Sequence, residues 1–78
     1  MRTENAEEEV VLTDVAALGD LIRRRREAMG YSLRAVSEVT GFSLAFVHAV
    51  EHGKPTAEIG KVLELANALG IDLIGRTR

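Results

Sequence analysis

Between Asp14 and Gly70 the apolar residues recur three and four positions apart, the spacing that gathers them on one side of a helix. The pattern breaks at Gly30, at Thr40-Gly41-Phe42 and at His52-Gly53-Lys54-Pro55. Four helices are predicted. The first covers 14–29: Thr13 or Asp14 caps it, Val15, Leu18, Ile22 and Met29 share a face with Leu21 beside them, and Gly30 ends it. Gly19 costs this helix about 1 kcal/mol relative to alanine, so it marks either a close approach by another segment or a slightly later start.

The second helix is predicted over 32–39, with Ser32 as its cap and Ala35 and Val36 inward. The third is predicted over 43–51, capped by Ser43, with Val47 and Val50 inward and Phe46 partly so. Thr56 is the expected cap of a fourth helix over 57–69, whose Ile59, Val62, Leu63, Leu65, Ala66 and Leu69 form a broad apolar stripe ended by Gly70. Ile71-Asp72-Leu73-Ile74 then reads as a short β-strand, being β-branched and partly alternating. A lone strand does not persist in water, so it needs a mate: the same segment of a second copy, or Val10-Val11-Leu12. The expected organisation is an acidic leader without fixed structure over 1–13, carrying the candidate strand at 10–12, a helical domain over 14–70, and a short strand and tail over 71–78.

Composition narrows the class. Seventy-eight residues allow one domain that buries a modest fraction of its surface, and the absence of cysteine excludes disulfide staples and thiolate metal sites. Small domains without staples depend on regular helix packing or a partner subunit, so a homodimer is the default expectation. A hydrophobic content of 46% excludes wholesale disorder, and no apolar run is long enough to span a membrane. Residues 1–9 are acidic and polar where a secretory signal would be basic and then apolar, so the expected location is the cytoplasm. The net charge of −2 is unevenly placed. Arg2 against Glu4, Glu7, Glu8, Glu9 and Asp14 gives the first fourteen residues −4 and leaves the body at +2. A mildly basic body is compatible with nucleic-acid binding without demanding it.

The strongest local signal is the pair of short helices joined at Gly41, with small or apolar residues at Leu33, Val36, Ser37, Gly41, Phe42, Val47 and Val50. That spacing packs two helices at a steep angle around a hinge, a helix-turn-helix. Together with the closing Val50-Glu51-His52-Gly53-Lys54-Pro55, it resembles the Cro/XRE-type, phage-repressor-like helix-turn-helix family over about 18–73. The stretch from Lys54 to Arg76 is similar to the HipB-like antitoxin regulators within that family. The resemblance implies an all-α, compact four-helix, lambda-repressor-like domain with a short C-terminal β-strand pairing across a dimer. It implies a homodimer that binds double-stranded DNA and regulates transcription, as the antitoxin and autorepressor of a toxin-antitoxin pair, with no cofactor.

Carried over residue by residue, the resemblance makes Leu44, Ala45, His48 and Ala49 base-facing. Ser32, Arg34, Ser43 and Lys54 become phosphate contacts, flanked by Arg23 or Arg24, and Arg26 with Glu51 becomes a partly buried structural ion pair. Ile71, Leu73 and Ile74 fall at the dimer strand. The pattern departs from the family at its reading face, where relatives often carry Gln, Arg or Ser: leucine and alanine offer only apolar contact, to thymine methyl groups. Leu33 likewise stands where the family often has a phosphate-contacting Gln. Specificity would then rest on His48, phosphate positioning and DNA shape.

Other chemistries fare worse. Arg23 to Arg26 span a full helical turn and cannot share a face, so they read either as a solvated face or as a phosphate-contacting edge, with one of the four turned inward. His48 and His52 are spaced to reach one metal, but only Glu51 is near as a third ligand, so no metal site is assigned. Gly53-Lys54-Pro55-Thr56 lacks the glycine-rich lead and preceding strand of a phosphate loop. No serine has an argued histidine partner, and Glu58 and Glu64 fall on an outer face, so no enzyme is expected. The competing function is a protein-interaction module, in which Leu44 and Phe46 meet a toxin or other protein partner and DNA binding is weak or lost. No membrane association is expected.

Overall fold

The computed structural model describes residues 9–78, so residues 1–8 of the acidic leader lie outside the described residues. The chain forms α1 (Val15–Ala28), α2 (Leu33–Thr40), α3 (Leu44–Glu51) and α4 (Ile59–Ala68). Three of the four starts are capped as the side chains require. Asp14, Ser32 and Ser43 sit in extended backbone and accept hydrogen bonds from the amides of Ala17, Ala35 and Phe46.

α4 departs from expectation. Thr56 does not cap it: the Ala57 amide donates to the Lys54 carbonyl, closing a separate turn, and the helix starts two residues later behind Glu58, which makes no side-chain cap. Its stripe is also narrower than the sequence suggests. Val62, Leu65, Ala66 and Leu69 are buried, but Ile59 and Leu63 are 64% and 47% exposed. Val15 and Met29 of the first helical run are likewise largely exposed.

The core is built from Ile22 of α1, Val36 of α2, Val47 and Val50 of α3, and Val62, Leu65 and Leu69 of the α4 region. Leu18, Leu33, Phe42, Phe46, Ala57 and Ile71 pack around it. Both α1 and α2 pack directly on α3, which places the third helix at the centre of the contacts. Gly19 lets α1 approach. A Cβ there would lie 2.8 Å from the Glu51 carbonyl oxygen and nearer still to that of Val50, both backbone atoms at the end of α3. The glycine is therefore a close-contact residue inside α1, which starts at Val15 regardless.

Among the described residues there is no β-strand, which corrects the expected strands at 71–74 and 10–12. Neither segment has regular secondary structure, and neither forms a ladder with the other. Among the described residues the backbone bond from the C-terminal segment runs from the Ile71 amide to the Ala66 carbonyl and closes α4. A strand needs a paired edge, and the described residues do not supply one. No described helix is long and apolar enough to cross a membrane.

Candidate nucleic-acid interface

The turn from α2 to α3 is held by short-range polar contacts that fix how α3 is presented. Gly41 takes the left-handed conformation (φ 81°) and its amide returns to the Ser37 carbonyl. The Ser37 hydroxyl donates to the Phe42 carbonyl at 2.6 Å, and the Thr40 hydroxyl donates to the Val36 carbonyl while accepting from the Phe42 amide. Phe42 then packs on Phe46 with ring centroids 5.1 Å apart. The glycine was visible in the sequence. The serine and threonine locks were not, because their partners are carbonyls that only the folded turn brings near.

The far end of α3 is clamped by a buried ion pair. Arg26 Nε donates to Glu51 Oε2 at 2.6 Å and its second amino group donates to Oε1 at 3.0 Å, a two-point contact, while the remaining amino group donates to the Tyr31 carbonyl. Arg26 is only 9% exposed, the inward-pointing member of the four-arginine run. Its hydrogen bonds to Glu51 raise its already high pKa, so the guanidinium stays charged at any ordinary pH. One side chain thus ties α1 to the start of α2 and the end of α3.

The other three arginines of the run are also engaged. Arg23 pairs with Asp20 and Glu27, and Arg24 with Asp20, all on α1. Hydrogen bonds from Arg24 and then Arg23 hold the Asp20 carboxyl below the usual carboxylate range. Arg25 donates to the Leu69 carbonyl at 2.8 Å, satisfying a C-terminal carbonyl of α4 from across the fold. Sequence reading missed this bridge; a basic residue facing a neighbouring helix end leaves no local pattern.

On α3 the two faces separate cleanly. Val47, Val50 and Glu51 turn inward; Leu44, at 41% exposed, Ala45 and His48 turn to solvent, and Ala49 is half-buried. His48 stacks on His52 with ring centroids 4.0 Å apart, and the Nδ1–H of His52 donates to the His48 carbonyl at 2.8 Å. Among the described residues no group of three or more His, Asp or Glu side chains gathers as a metal would require.

Arg34, in the first turn of α2, and Lys54, just past α3, are exposed. Ser32 and Ser43 are exposed too, with their oxygens engaged in capping and their hydroxyl protons still available. Leu33 packs against the core, which accounts for an apolar residue at the entry of α2. At the opposite edge, Ile71 and Leu73 are half-buried and Ile74 is exposed; they line a groove with Val10–Leu12, Leu21 and Ala28.

Comparison with known proteins agrees with this geometry. Residues 17–77 match a family model described as a helix-turn-helix domain. The chain is also similar to an uncharacterized HTH-type transcriptional regulator, y4mF, of Sinorhizobium fredii (strain NBRC 101917 / NGR234). The two are 38% identical over 58 residues, which covers 74% of this chain and 76% of the relative. The match spans both helices of the hinge, the clamp that holds them and the helix packed behind, and the chain belongs to the helix-turn-helix domain family.

Proposed function

We propose that this protein is a sequence-specific, DNA-binding transcriptional regulator that acts as a homodimer and lays α3 in the major groove. The observation that carries the reading is the two-faced α3. It is fixed at its start by the Gly41 turn and at its end by Arg26–Glu51, and it holds Leu44, Ala45, His48 and Ala49 along the side away from the core. Arg34, Lys54, Ser32 and Ser43, with Arg23 and Arg24 on the flank, are the proposed phosphate contacts. The name of the y4mF relative, a transcriptional regulator, supports the same reading.

The finer placement is among Cro/XRE-type regulators with a HipB-like C-terminal part. In this reading Ile71, Leu73 and Ile74 pair between two subunits, and the protein also serves as the antitoxin of a toxin-antitoxin pair. The unladdered segment at 71–74, with Ile74 76% exposed, supports the dimer.

The test is a titration of the purified protein against pooled double-stranded DNA at low and at physiological salt. The expected result is an affinity that falls steeply with salt and is abolished by Arg34→Ala with Lys54→Ala. A second reading, a protein-interaction module, is favoured by the exposed Leu44 and by Val39, which is 73% exposed at the end of α2. Absence of DNA binding even at low salt would leave that second reading in possession.

A further inference from the structure

We infer that this protein selects its DNA by thymine 5-methyl groups, and that the chemical object it recognises is a C5 methyl in the major groove rather than any hydrogen-bonding base edge. The inference rests on the DNA-binding reading above and names the kind of site that α3 accepts.

Packing does not explain the outward apolar residues of α3. The core is filled from the opposite face by Val47 and Val50, while Leu44, 41% exposed, and the exposed Ala45 lie in the first turn, the part of a recognition helix that reaches base edges. Neither side chain has a donor or acceptor. The preceding serine accepts the Phe46 amide as a cap. The one polar side chain among the four base-facing positions, His48, is stacked on His52.

The major groove displays donors and acceptors on every base pair, and the thymine methyl is its one apolar feature. A leucine set over the amino group of cytosine or the carbonyl of guanine would strip water from it and return no hydrogen bond. Over a thymine methyl the same leucine loses nothing and buries apolar area. Exposed Arg34 and Lys54 stand at the start of α2 and just past α3, which suits a polyanion carrying methyl groups. The half-site is therefore thymine-bearing opposite Leu44 and Ala45. Because the methyl and not the base is read, 5-methylcytosine at those positions replaces thymine better than cytosine does.

The experiment starts from a site enriched by the wild-type protein from random duplex DNA at low salt. Each thymine is replaced in turn by deoxyuridine, which removes only the methyl. Affinity is expected to fall about fourfold for each methyl contacted, with the salt dependence unchanged because no phosphate contact is lost. Replacing the contacted base by cytosine should weaken binding further, and 5-methylcytosine should recover part of that loss. Leu44→Ser, on the solvent face, should bind thymine and deoxyuridine sites equally at the position it covers. Salt-steep binding that is indifferent to deoxyuridine at every position would overturn the methyl readout and leave the DNA-binding function standing. No binding to any duplex at low salt would overturn both.

Discussion

The junction of α1 with the end of α3 and the pair of terminal segments at 9–13 and 71–78 both bring distant parts of the chain together, but they are finished differently. At the junction the buried charged side chains, Arg26 and Glu51, have their partners within one chain. Arg26 is bonded to Glu51 and Tyr31, and the backbone of α3 sits where Gly19 has no side chain. At the terminal segments the chain lines a groove of mixed apolar and charged residues, and among the described residues no ladder forms between the two. The first region fixes the angle at which α3 is offered. The second carries no ladder among the described residues.

The largest effect is expected from removing one half of the clamp. Glu51→Ala leaves a buried guanidinium with the Tyr31 carbonyl and a longer, 3.9 Å contact to the exposed Glu27 carboxylate, which should cost about 3–5 kcal/mol, a large share of what a domain of this size has. Urea denaturation followed by circular dichroism measures it. Replacing both partners by apolar residues, Arg26→Met with Glu51→Leu, should cost less than the single change, because no unpaired charge remains. If the single substitution is mild, the junction is no more fixed than the edge.

Gly19→Ala comes next. The added methyl meets two backbone carbonyls that cannot swing aside, so α1 must move off α3. An expected loss of about 2–3 kcal/mol outweighs the roughly 1 kcal/mol that alanine returns in helix propensity. A variant as stable as the native chain would show that α1 and α3 are not in this register.

These two sites also show how far the sequence could be read. The caps Asp14, Ser32 and Ser43 and the hinge at Gly41 are local signals, and each is used as its chemistry suggests. Gly19 was legible as a disturbance in a helix, but its partner, the end of α3, is a tertiary fact. Periodicity reported that Ile59 and Leu63 are apolar without reporting that the described residues leave them 64% and 47% exposed. Thr56 failed as a cap because a turn at 54–57, closed by two backbone atoms, delays α4, and no side chain announces it. The strand at 71–74 has strand-forming residues, but a ladder is a property of two segments, and one sequence shows only one of them. Of the interface, the position of α3 was legible from spacing; the half-burial of Ala49 was not.

The smallest effect on the folded chain, and the most direct test of the edge, is Ile74→Asp. Ile74 is 76% exposed, so within a single chain the substitution should change stability by no more than about 0.5 kcal/mol. If the edge is closed by a second copy, an aspartate there meets its symmetry mate or an apolar surface, and both are unfavourable. Sedimentation equilibrium should then show a dimer for the native chain and a monomer for the variant, while circular dichroism shows the same helix content. Loss of helix along with the dimer would mean that the domain folds only when paired, extending the dependence on a partner from the edge to the core. A native chain that sediments as a monomer would remove the homodimer and leave the groove beside residues 71–74 to an occupant of another kind.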